Sequence, residues 1–160
     1  MSAVLAVTQP YGAGLGQQLP FQIANPAAGA NATRSFDGIG LRRILSLVFT
    51  LATSSTVAAR YVTVEYQGKD GKAFAVGAAG VTVGASSTQR YAGSASRGDS
   101  EWATGTDVLF PLLPVLVFPG DVLTIVVANI DTTDQLANIR MTFDRWPGGG
   151  FIPAEADVPN

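Results

Sequence analysis

The sequence predicts an all-β fold, an antiparallel β-sandwich of jelly-roll type with about seven or eight strands. Three observations predict it. Several segments of roughly eight to twelve residues alternate apolar and polar side chains with period two. Turn chemistry built from Gly, Asp and Pro separates them, and no segment carries a clear helical period. The expected organisation is an extended N-terminal arm over 1–40, a sandwich domain over 41–147 and a glycine-hinged, flexible C-terminal tail over 148–160.

The arm is set apart by Pro10, Pro20, Pro26 and the stretch ANPAAGANAT, which leave few runs able to persist as regular structure. Leu19 to Ala24 is the exception: Phe21 and Ile23 alternate with Gln22 as in an edge strand. Leu41 to Ala52 (LRRILSLVFTLA) then reads as a long strand. Leu45, Leu47, Phe49 and Leu51 share its core face, with Ile44, Ser46, Val48 and Thr50 on the other. Its β-branched and aromatic content, with TSST following, favours strand over an amphipathic helix.

Arg60 to Gln67 (RYVTVEYQ) alternates again, and Gly68-Lys69-Asp70-Gly71 supplies a hairpin turn. Lys72 to Val83 is a weaker strand interrupted by Gly77 and Gly80, and Ser87 to Ala92 is a further candidate. Gly93 to Thr106 is a polar loop carrying Trp102. Val108 to Phe118 follows, limited by Pro111 and Pro114 to an edge position or a broken strand. After the Pro119-Gly120-Asp121 turn come Val122 to Asn129 and Asn138 to Trp146, which contribute Leu123, Ile125, Val127, Ile139, Met141 and Phe143 to the expected core. Beyond Gly148 to Gly150, Phe151-Ile152-Pro153 forms an apolar patch on a tail with little room for a core of its own.

Composition narrows the function classes. The chain has no cysteine and no histidine, so thiolate chemistry and the usual general base near neutral pH are missing, which weighs against an enzyme. Its three glutamates (Glu65, Glu101, Glu155) and its aspartates are scattered and mostly in turns, unlike the paired carboxyls of a glycosidase. Asn129, Asp131 and Asp134 could offer oxygens to Ca²⁺ but lack the EF-hand spacing, and turn formation accounts for them better. No catalytic residue, metal ligand or cofactor is therefore assigned.

The basic residues are dispersed, so direct nucleic-acid binding is not expected. No run of about 18 apolar residues occurs, so neither is a membrane span. Only 14% of residues are charged and the net charge is −2, a surface that offers little repulsion between copies and suits a homo-oligomer or assembly subunit.

Three segments, LRRILSLVFTLATSSTVAARYVTVEY (41–66), LPVLVFPGDVLTIVVANID (113–131) and DQLANIRMTFDRWP (134–147), resemble in their order a group of small tailed-bacteriophage virion proteins with a β-sandwich fold. The resemblance implies a non-enzymatic role: a decoration or cement subunit that binds and stabilises the capsid shell, or else a collar, neck or tail component. It implies the major capsid protein or other virion proteins as partners. The location implied is the virion, and the host cytoplasm during assembly. The expected partner-binding residues, read from composition outside and around the matched part, are Phe21, Ile23, Arg34, Phe36, Trp102, Phe151 and Ile152. A second class is a carbohydrate-binding sandwich used in host recognition, with Tyr61, Tyr66, Tyr91 and Trp102 as the available ring platforms.

Overall fold

A computed structural model describes residues 17–36, 41–95 and 106–146, and in it the alternating segments form strands. In chain order they are β1 (Gln17–Gln22), β2 (Ala32–Ser35), β3 (Leu41–Ala52), β4 (Arg60–Gln67), β5 (Ala73–Val83), β6 (Thr88–Ser94), β7 (Val108–Pro111), β8 (Leu116–Val117), β9 (Val122–Ala128) and β10 (Gln135–Trp146). No helix occurs among the described residues.

Two sheets face each other. The first runs β1-β10-β3-β6-β7, with β8 paired to the start of β3; the second runs β2-β9-β4-β5. The antiparallel pairs nest: β4 with β5, β3 with β6, β2 with β9 and β1 with β10. This is a long two-stranded ribbon rolled across two sheets, the jelly roll that the alternation foreshadowed. The two added strands are short. β7 pairs with β6 in parallel at the edge of the first sheet, and β8 covers Arg42 and Arg43. Pro111 and Pro114 break the segment between them, since neither can donate to a ladder.

The core lies between the sheets. Leu47, Phe49 and Leu51 of β3, Val62 and Val64 of β4, Leu123, Ile125 and Val127 of β9, and Leu136, Ile139, Met141 and Phe143 of β10 are buried there. Tyr91 of β6 stacks on Phe49 with ring centroids 5.0 Å apart. Each such side chain contributes roughly 1.5–3 kcal/mol on leaving water.

In β3 and in β10 strict alternation fails at a bulge. In β3 the pairing steps from Ser46↔Thr142 to Ile44↔Phe143, leaving Leu45 as the extra residue. Ile44 is therefore buried and Leu45 is not, the reverse of the expected faces. In β10, Asn138 takes a left-handed conformation (φ 53°) inside an irregularity between Ala137 and Arg140, so that both Leu136 and Ile139 reach the core. Asn tolerates that backbone better than most residues.

The sandwich also begins earlier than expected. Gln17–Gln22 is the edge of the first sheet and Ala32–Ser35 the edge of the second, so residues 17–36 of the expected arm belong to the two sheets. The Ile23 amide donates to the Ile139 carbonyl at 2.9 Å, and the Phe36 amide to Asp121 O at 2.9 Å.

Candidate interaction surface

Two polar clusters sit at opposite ends of β4, some 20 Å apart by strand rise. At the first, the guanidinium of Arg60 is wholly buried against the carboxylate of Asp134. Its Nε donates to Asp134 Oδ2 (2.9 Å), Nη2 to Asp134 Oδ1 (3.1 Å) and Ser54 Oγ (3.0 Å), and Nη1 to the carbonyls of Thr56 (2.7 Å) and Ala58 (2.9 Å). All five guanidinium N–H groups thus have an acceptor. Asp134 in turn accepts the amides of Ser54 (2.7 Å) and Asp131 (2.8 Å). Asp131 closes a small turn, accepting the Thr133 amide and hydroxyl at 3.1 and 2.8 Å. The amide of Asn129, in a left-handed conformation, ties the same turn to the Ala59 carbonyl through its side-chain nitrogen at 3.0 Å. These three residues hold the β9–β10 turn to the β3–β4 loop. Among the described residues no group of three or more acidic side chains could hold a metal ion.

At the other end, Asp121 Oδ2 accepts the Tyr66 hydroxyl (2.6 Å) and the Phe118 amide (2.7 Å). Burial, and then the bond to the Asp121 carboxylate and its charge, push the Tyr66 phenol up to about 12. Both clusters fasten loops, and their polar atoms are occupied in doing so.

Among the described residues, half of the exposed large apolar side chains fall in one segment. From Val108 to Gly120 no side chain is charged or able to hydrogen-bond. This segment forms a strap across the side of the sandwich: the Leu112 amide donates to Ser94 of the first sheet (3.1 Å), and the next amide, that of Leu113, donates to Val76 of the second (2.7 Å). Phe110, Leu112 and Val117 turn inward and are buried. The ring of Phe110 lies over two glycines: a Cβ on Gly93 would come within 2.4 Å of it, and one on Gly77 within 3.0 Å. Those glycines mark a close approach between elements.

Both ends of the strap are pinned by carboxylates. Asp107, its side chain out of contact with solvent, pairs with Arg90 of β6 at 2.6 Å, and Asp121 holds the Phe118 amide. Inward packing and pinned ends leave Leu109 (68% exposed), Leu113 (56%), Leu116 and Phe118 facing out. Phe74 of β5 is also half exposed and meets Tyr66 edge-on at 5.1 Å, beside the Asp121 end of the strap.

The expected partner-binding residues fare differently. Ile23 and Phe36 are core residues, 7% and 2% exposed, because the segment holding them is built into the sandwich. Phe36 also lies under the Arg42 guanidinium, 5.7 Å from its ring. Arg34 is half-buried on β2. Phe21 pairs with Met141 through β1, and its side chain, like Trp102, Phe151 and Ile152, lies outside the described residues. The three ring platforms among the described residues, Tyr61, Tyr66 and Tyr91, are not brought together either. Tyr91 is wholly buried, Tyr66 is tied to Asp121, and only Tyr61 is exposed among those described. Alternation does not single out the strap leucines, although a run of that length without a polar side chain holds more apolar residues than a strand broken by two prolines can bury.

No protein-family model matches the chain, and no curated protein matches it.

Proposed function

We propose that the protein is a non-enzymatic structural subunit of a tailed-bacteriophage virion, one that binds and stabilises the capsid shell as a decoration or cement protein. The observation that carries this reading is the strap: an apolar surface held rigid by Asp107, Asp121 and Phe110, on a body whose buried charges serve its own loops. Such a surface is suited to packing against other chains. Jelly-roll topology supports the virion setting, since capsid domains are among its frequent users, as does the resemblance of the segments 41–66, 113–131 and 134–147. Fold alone would not assign a role; the pinned apolar face on that fold narrows it.

Quantitative mass spectrometry of purified virions carrying this gene tests the proposal. A shell subunit is present in hundreds of copies, whereas about a dozen copies or fewer would move it to the neck or tail, whose rings have low cyclic symmetry. Absence of the chain from the virions would overturn the reading.

A further inference from the structure

We draw no further inference here: the strongest candidate, the outward apolar side of the strap from Val108 to Gly120 with Leu109 and Leu113 exposed, already belongs to the surface of the proposed function, and nothing in the structure shows what covers it.

Discussion

Arg60 and Asp134 lie 74 positions apart and meet out of contact with solvent, Nε to Oδ2 at 2.9 Å. The pair joins the start of β4 to the end of the β9–β10 turn, and each polar atom of the guanidinium has its own partner. Taking two ions out of water costs several kcal/mol per ion, and a pair offsets that cost only with such complete bonding. Its function is to fix where two loops sit.

Removing either partner alone leaves an uncompensated buried charge. Arg60→Ala and Asp134→Ala should each lower stability by about 3–5 kcal/mol, read from the urea midpoint at neutral pH. A loss well under about 1 kcal/mol would mean that water reaches the remaining ion and screens it.

Acid should act on the same pair. Burial alone would raise the Asp134 carboxyl, but the bond from Arg60 and the amides of Asp131 and Ser54 outweigh it and hold the group at about 2. The unfolded value is about 3.9, so the folded state binds its proton less readily. The stabilisation is therefore complete above roughly pH 5 and is lost as pH falls through 4 towards 2, about 2 kcal/mol in all. Urea titrations between pH 6 and 2 should show this decline, and Asp134→Asn should remove that part of it. An unchanged acid profile in Asp134→Asn would assign the acid sensitivity to other carboxylates.

Gly93 and Phe110 should be coupled. A methyl group on Gly93 would overlap the Phe110 ring at 2.4 Å, so Gly93→Ala should cost about 1–3 kcal/mol through overpacking. Phe110→Leu, destabilising by itself, should make the added methyl tolerable, and the double variant should be more stable than the sum of the single losses predicts. Additive losses in a denaturation cycle would show that the strap shifts away as a body instead.

Much of the fold was legible because alternation is a local signal. β3, β4 and β9 coincide with runs such as LRRILSLVFTLA and RYVTVEYQ, and the hairpin at Gly68–Gly71 follows from residues that accept positive φ: Gly71 sits at φ 76° and its amide bonds the Gly68 carbonyl at 3.0 Å. The bulges were not legible. Nothing local in LRRILSL says that Leu45 is skipped, since that is set by the register of β10 alongside it.

The candidate surface was legible only as a composition. A run free of polar side chains says that something apolar is present but not which members face out. Two of the residues expected to bind partners, Ile23 and Phe36, lie in a weakly patterned segment. Such a segment gains its structure from others: Ile23 is fixed by Ile139 and Phe36 by Asp121, both distant in sequence.

The sequence by itself determined the class of the fold, the turns and most of the inward faces, because period-two patterning and turn chemistry act between near neighbours. Tertiary structure alone decided that Arg60 finds Asp134, that two strand glycines make room for Phe110, and that consecutive amides of Leu112 and Leu113 bond to different sheets. Each of these is a contact between distant segments, fixed by how the ribbon rolls, and so each depends on distances that no local pattern encodes.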